Sequence, residues 1–127
     1  APAPERPAAL YHVGTIRGGQ SLQHAGNIVV VGDVNPGAEL VATGDIVVFG
    51  SLRGVARAGA GGDADARVFA LDLSATQLRI ATCIAADDSQ TKQTASVPEA
   101  AVVRDGRIVI VAYDRIDRLT EEGASTR

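Results

Sequence analysis

The side chains that usually carry catalysis or bind metals are sparse in this sequence. The two histidines, His12 and His24, do not have the H-x-x-x-H spacing of metal sites. The single cysteine, Cys83, has no second cysteine or histidine nearby, so we expect it to be a small core residue. The sequence contains no G-x-S-x-G elbow, Walker phosphate loop or dinucleotide-binding fingerprint. It therefore predicts neither an enzyme nor a bound metal or cofactor.

Acidic residues and overall charge do not predict a site for a cation or a nucleic acid. The segment Gly59–Asp65 is faintly similar to a calcium-binding β-roll repeat, but such sites need several tandem copies, so one copy predicts a turn. Asp87 and Asp88 are adjacent carboxylates in a polar segment, where they are ordinarily solvated. The net charge of −3 leaves no basic patch suited to nucleic acid.

Polar side chains that could dock a protein recur along the chain with a period of 18. Two series show it: Arg17, Asn35 and Arg53, and Ser21, Glu39 and Arg57. If residues 18 positions apart are neighbours in space, the guanidinium groups of Arg17 and Arg53 lie about 10 Å apart along one edge of the fold. Such a row can bind a protein surface through bidentate arginine contacts. It can equally be a solvated turn with a local Glu39–Arg57 pair, and the residues alone leave both interpretations open.

An internal repeat with the same period produces this spacing. The pattern of Gly26–Val34 is repeated in Gly44–Leu52. A third copy begins at Gly62 and contains a few extra residues before Arg67–Leu73. The apolar runs are short, β-branched and closed by Gly, Pro, Asn or Asp, which favours strands over helices. Three such strands make one coil, and successive coils stack about 4.8 Å apart as parallel strands. The sequence predicts an all-β parallel solenoid of about four coils.

The remaining segments set the expected domain boundaries. Residues 1–11 are rich in Pro and Ala and predict an interdomain linker, residues 12–115 the solenoid domain, and residues 116–127 a flexible tail. Glu99–Val111 copies the apolar pattern of Glu39–Phe49 and is expected to form a last coil. The polar segment Ala85–Val97 is expected to be a surface loop.

Several predicted strands are apolar on both sides. In Ile28–Val31, Ile46–Phe49 and Ile108–Val111 one alternating set faces the core, which leaves a second apolar set outside. Stacked across coils, this set forms an apolar face that a second subunit related by a two-fold axis would cover. Shielding by the tail or by a preceding domain is the alternative. The expected interface residues are Val29, Val31, Val47, Phe49, Val109 and Val111.

Several motifs resemble one protein family. They are Arg17-Gly18-Gly19-Gln20, Gly32-Asp33-Val34-Asn35-Pro36-Gly37-Ala38-Glu39-Leu40, Gly44-Asp45-Ile46 and Leu52-Arg53-Gly54. Over about residues 12–115 the chain is similar to the C-terminal domain of the septum-site-determining protein MinC. The resemblance implies a right-handed β-helix of triangular section that forms a homodimer and binds the ATP-bound ATPase MinD. It also implies a cytoplasmic regulator of cell division that reaches the membrane only through MinD.

The resemblance also implies site residues and a missing partner domain. The MinD-binding positions fall on Arg17, Gly18, Gly19, Gln20, Gly37, Glu39, Gly44 and Arg53. Gly18 stands where the family usually has Ser, and Thr43 stands where it usually has Asp before the coil glycine. In the family a separate N-terminal domain antagonises FtsZ polymerisation, so this chain is expected to lack the main FtsZ inhibitor.

Two other classes of β-helix protein remain as alternatives. A bactofilin-like polymer would stack its coils end to end, although the charged segment Asp114–Glu122 should block such growth. A β-helix enzyme, such as a hexapeptide-repeat acyltransferase or a polysaccharide lyase, lacks support because the sequence has no catalytic histidine or acidic cluster and follows a period of 18 rather than six.

Overall fold

The structure, a computed structural model, describes residues 8–86 and 97–112, which form strands and turns without a helix. The strands are β1 (Leu10–Val13), β2 (Ser21–His24), β3 (Ile28–Val31), β4 (Glu39–Ala42), β5 (Ile46–Leu52), β6 (Val55–Ala58), β7 (Val68–Leu73), β8 (Gln77–Ile80), β9 (Cys83–Ala86), β10 (Glu99–Arg104) and β11 (Arg107–Ala112). They make a six-stranded sheet in the order β1-β3-β5-β7-β10-β11 and a five-stranded sheet in the order β2-β4-β6-β8-β9.

Each coil contributes one strand to each sheet. Strands β1, β3, β5 and β7 pair in parallel, as do β2, β4, β6 and β8. A third, shorter side is closed by parallel bridges that join Ile16 to Val34 and Val34 to Leu52. Every coil is therefore three-sided, and the four stacked coils confirm the predicted β-solenoid.

The core is a stack of aliphatic side chains inside these coils. Alternation along the strands turns Ile28 and Val30 inward, both fully buried, and leaves Val29 and Val31 on the outside. The next coil repeats this pattern, with Ile46 directly beneath Ile28. Among the described residues no polar or charged side chain is buried. The interior therefore supports the fold and offers no group for chemistry.

The period of 18 is kept by the first coils and lost later. Ile46 pairs with Val68, an offset of 22, because the turn that contains Gly59–Asp65 lengthens the coil. Glu39 pairs with Val55, an offset of only 16, so the predicted stack of Ser21, Glu39 and Arg57 is wrong in its last member. The offset is smaller there because the turn that precedes β4 has no counterpart of equal length before β6.

The solenoid ends in antiparallel hairpins rather than in another coil. The expectation that Glu99–Val111 forms a last coil is wrong, since β10 pairs antiparallel with both β7 and β11. The Asp105-Gly106 turn, in which both residues have positive φ, 53° and 76°, accounts for the hairpin between β10 and β11. Two such residues favour a tight hairpin. Strand β9 likewise folds back on β8 and takes in the start of the expected loop Ala85–Val97.

Parts of the expected domain organisation lie outside the described residues. Strand β1 begins at Leu10, within the segment 1–11 that the sequence assigns to a linker. Residues 1–7, the Asp87-Asp88 pair and residues 113–127, including the charged segment Asp114–Glu122, are outside the described ranges. Within those ranges no helix is long and apolar enough to cross a membrane.

Candidate docking site

Two tight turns stack where the short side of the solenoid meets the five-stranded sheet. In the first, the amide of Gln20 donates to the carbonyl of Arg17 at 2.9 Å, and Gly19 has a φ of 89°. In the second, Ala38 donates to Asn35 at 3.0 Å, and Gly37 has the same φ. Positive φ at the third residue characterises a type II turn and favours glycine there. Each glycine is therefore favoured by the local backbone.

The stacking of these turns aligns the candidate docking side chains. Gly19 donates its amide to Gly37 at 3.0 Å, and Arg53 donates to Val34 at 2.8 Å, which joins three successive coils. Arg17 and Arg53 are both exposed and lie two rungs apart, about 10 Å. We call residues 17–20, 35–38 and 53–54 the Arg17 corner. It presents two guanidinium groups on a hydrogen-bonded backbone.

Gln20 is held in place by its own turn. Its side-chain Oε1 accepts a hydrogen bond of 2.7 Å from the amide of Arg17, while the residue remains exposed. This bond leaves the amide nitrogen of the Gln20 side chain available to a partner. The Arg17 corner therefore offers oriented donors, the arrangement that binds carboxylates and carbonyl oxygens of a protein surface.

Close approach of the two turns accounts for one departure from the family pattern. A Cβ atom added to Gly18 would lie 2.8 Å from the carbonyl oxygen of Pro36. A serine at this position would need that backbone to shift. Glycine thus permits the observed packing of the first turn on the second, at the loss of a hydroxyl group.

Glu39 lies beside the Arg17 corner on the outer side of the five-stranded sheet. Its Oε2 is 3.0 Å from Nε of Arg57, which pairs with Val41 on the neighbouring strand. The two side chains are 34% and 39% exposed, so solvent screens the pair and its contribution to stability is small. The local Glu39–Arg57 pair considered from the sequence is therefore present, although it is diagonal rather than directly opposite.

Gly44 is the one expected docking residue that lies elsewhere. It occupies the next corner, between β4 and β5, where its amide donates to Gly26 at 2.9 Å. A Cβ there would collide with Oδ1 of Asn27, which accepts a hydrogen bond from Asp45. The structure thus brings seven of the eight expected residues together, and Gly44 has a packing role at a separate corner.

All six expected interface residues lie on one outer side of the six-stranded sheet. Direct pairing runs from Val29 through Val47, Phe69 and Ala100 to Val111, so these side chains share a side. The neighbouring set holds Val31, Phe49 and Val109. We call this surface the apolar face. Exposed side chains on it include Tyr11 (66%), Val13 (66%), Phe49 (52%) and Leu71 (46%).

The apolar face also carries a groove. The groove is lined mainly by apolar side chains, among them Val47, Phe49, Phe69, Leu71 and Pro98. An exposed apolar surface of this extent on a domain of this size usually marks a protein interface. The groove adjoins the interface residues expected from the sequence and belongs to the same surface.

The histidines and the cysteine do not form a reactive site. His12 pairs with Val30 and His24 with Ala42, so both belong to the first coil. Cys83 is partly buried in β9, where its thiol donates to the carbonyl of Gly106 at 3.3 Å, and not in the central core as expected. Among the described residues no three potential ligands gather into a metal site.

Comparison with known proteins identifies the family. Residues 10–113 match the model of the septum formation inhibitor MinC, C-terminal domain. The chain belongs to the MinC C-terminal domain family. It is 46% identical over 104 residues to the probable septum site-determining protein MinC of Acetivibrio thermocellus, and 50% identical over 114 residues to that of Gloeobacter violaceus.

These relatives are longer than the chain. The matches cover 81% and 84% of this chain but 46% and 41% of the two MinC proteins, so the chain spans about half the length of those relatives. A chain of the MinC:MinD cell division protein complex of Aquifex aeolicus has a TM-score of 0.80 and 34% identity. That alignment covers 94% of this chain and all of the other. The family match favours the division-regulator hypothesis over a bactofilin-like polymer.

Proposed function

We propose that this MinC C-terminal domain is the homodimeric, MinD-binding part of a cell-division inhibitor. Its Arg17 corner binds MinD, and its apolar face forms the dimer. The observation that carries this proposal is the stacking of two type II turns, with Arg53 hydrogen-bonded to the second coil, which aligns Arg17, Gln20 and Arg53 in a chain of the MinC fold. The domain works by binding, without catalysis, cofactor or metal.

The position of the two surfaces supports this division of roles. The Arg17 corner borders the five-stranded sheet, whereas the apolar face is the outer side of the six-stranded sheet. A two-fold dimer through the apolar face therefore leaves both copies of the Arg17 corner free. The dimer can bind two MinD molecules, which strengthens attachment to a MinD-covered surface through avidity.

The proposed cellular role follows from this bivalent attachment. MinD in its ATP-bound state brings the dimer from the cytoplasm to the inner face of the membrane, where the inhibitor acts on FtsZ ring assembly. In the whole inhibitor, FtsZ is met mainly by a separate N-terminal domain. The domain itself contacts the membrane only through MinD and binds no nucleic acid.

Co-sedimentation with lipid vesicles tests this proposal. Wild-type protein is expected to sediment with vesicles only when MinD and ATP are both present. Arg17→Ala and Gln20→Ala should each abolish sedimentation because each removes an oriented donor of the Arg17 corner. Circular dichroism and dimer mass should stay unchanged in both variants. Undiminished sedimentation of both variants contradicts the site assignment, and no sedimentation of the wild type contradicts the proposed function.

A further inference from the structure

The outer side of the five-stranded sheet carries an arginine pair that the docking site described above does not use. Arg57 pairs directly with Arg79 on β8, so the two side chains leave the same side of the sheet about 4.8 Å apart at the backbone. Like charges directly opposite on neighbouring strands destabilise a sheet. Their juxtaposition therefore calls for a compensating negative charge.

Glu39 compensates only one of these arginines. Its contact with Nε of Arg57 measures 3.0 Å, and the N–H group is not aligned for a hydrogen bond. Nε of Arg79 is shut off from solvent and has no hydrogen-bond partner among the described residues. A buried donor without an acceptor costs more than a solvated one. Neither Nε therefore has a hydrogen-bond acceptor, but Arg57 has the carboxylate of Glu39 as a counter-charge, whereas Arg79 has no ion pair among the described residues.

Two apolar side chains flank the pair on the same side of the sheet. Val41 precedes Arg57 in the ladder, and Ile84, which pairs with Arg79, is 53% exposed. An arginine pair flanked by aliphatic side chains is typical of protein interfaces, where arginine is enriched. A free anion or a lipid headgroup would not need neighbouring apolar side chains, so this arrangement favours a protein partner.

The pair is continuous with the Arg17 corner. Gln20 is followed at once by Ser21 of β2, and Arg53 is separated from Val55 of β6 by Gly54 alone. The outward side chains of this sheet together with the Arg17 corner hold four arginines, Arg17, Arg53, Arg57 and Arg79, and one glutamate, Glu39, although the whole chain has a net charge of −3. Positive charge is therefore concentrated on this surface.

We propose that Arg79, beside the Arg57–Glu39 ion pair, binds an acidic side chain of the ATPase that docks on the Arg17 corner. This inference rests on the proposed function and deepens it, since it extends the docking surface from the corner across the sheet. The incoming carboxylate supplies the counter-charge that Arg79 lacks among the described residues and offsets the repulsion within the arginine pair. Arg79 sets specificity for an acidic position on the partner.

Binding of MinD loaded with ATP, measured by biolayer interferometry at low and moderate salt, tests the inference. Arg79→Gln should weaken binding about tenfold at low salt, and Arg79→Glu should weaken it further because it repels the partner carboxylate. The loss should shrink as salt rises, since screening weakens the wild-type contact as well. Arg107→Ala replaces an exposed arginine at the start of β11, on the other sheet; this variant is the control and should bind like wild type.

The outcomes separate this inference from the proposed function. Binding of both Arg79 variants within twofold of wild type, with loss of binding in Arg17→Ala, overturns the role of Arg79 and leaves the docking site intact. Failure of the wild type to bind MinD overturns both. Binding of the protein to anionic vesicles without MinD, abolished by Arg79→Gln, assigns the pair to lipid headgroups and also overturns the inference.

Discussion

At the scale of single residues, close backbone approach between coils decides which positions tolerate a side chain. A Cβ on Gly54 would lie 2.4 Å from the carbonyl oxygen of Ala38 and 2.8 Å from that of Asn35. Both oxygens belong to the preceding coil, and that of Ala38 accepts a hydrogen bond from Val55. Gly54 therefore allows the third coil, whose corner before β6 is short, to cross directly beneath the Asn35–Ala38 turn.

We expect Gly54→Ala to lower the free energy of unfolding by about 2 kcal/mol or more, because the backbone must separate to admit the methyl group. Gly61→Ala is the matched control, since a Cβ at Gly61 meets no atom within 4 Å. Its stability should change by less than about 0.5 kcal/mol. Urea denaturation of both variants at one protein concentration measures the difference. Equal stability of the two variants would contradict the close packing of the third coil.

At the scale of structural elements, side-chain oxygens hold the corners of neighbouring coils together. Oδ1 of Asn27 accepts from the amide of Asp45 at 2.7 Å, and Oδ1 of Asp45 accepts from the amide of Arg67 at 2.9 Å. This ladder satisfies backbone donors where the chain turns between the two sheets. It also explains why the corner before β7 stays in place although the preceding turn is longer.

Replacement of Asp45 tests this ladder. Asp45→Ala leaves the partly buried amide of Arg67 without its acceptor and should destabilise the fold by about 1–2 kcal/mol. Asp45→Asn keeps an oxygen at the same position and should lie within about 0.5 kcal/mol of wild type. Thermal or urea unfolding distinguishes the two. A loss as large in Asp45→Asn as in Asp45→Ala would show that the charge, and not the hydrogen bond, stabilises the corner.

The sequence predicts those elements that local patterns determine, and it does not predict pairings between strands that depend on the length of distant turns. The repeat predicts the coils because Ile28 and Ile46 must share an environment when their flanking turns have equal length. It fails at Glu39 and Arg57, since the chain shortens after Leu52 and no local pattern reveals the changed register. Arg79 is absent from the predicted site for the same reason, because its pairing with Arg57 does not follow the period of the repeat.

The wrong prediction of a last coil, where the structure has a hairpin, has a different cause. The apolar pattern of Glu99–Val111 matches that of an earlier coil, but Asp105-Gly106 is a strong hairpin signal that outweighs it. Turn chemistry fixes the direction of the chain locally, whereas apolar alternation is the same in parallel and antiparallel strands. Given its full weight, this dipeptide predicts the hairpin of β10 with β11, but not the antiparallel pairing of β10 with β7.

At the scale of the whole molecule, the two sheets have different outer surfaces. Phe49 on the apolar face and Ile84 on the five-stranded sheet are almost equally exposed, 52% and 53%. Only Phe49 belongs to an extended apolar surface, with Val31 and Val47 beside it. A dimer therefore needs the continuous apolar face, and a single exposed aliphatic side chain such as that of Ile84 is not enough to form one.

We expect Phe49→Asp to convert a dimer into a 13.0 kDa monomer, because a charge buried in the apolar interface is not compensated. Ile84→Asp, at a position of matched exposure, should remain a dimer. Sedimentation velocity at micromolar concentration measures both masses. Dissociation of Ile84→Asp, or an unchanged dimer in Phe49→Asp, would place the interface elsewhere.

We propose that one side of the solenoid pairs the subunits while the Arg17 corner binds MinD. Multi-angle light scattering of wild type, Phe49→Asp and Arg17→Ala, each with and without ATP-loaded MinD, tests it most directly. Phe49→Asp is expected to be a monomer that still gains the mass of MinD, and Arg17→Ala a dimer that gains none. A variant that loses both dimerisation and MinD binding would contradict the separation of the two surfaces.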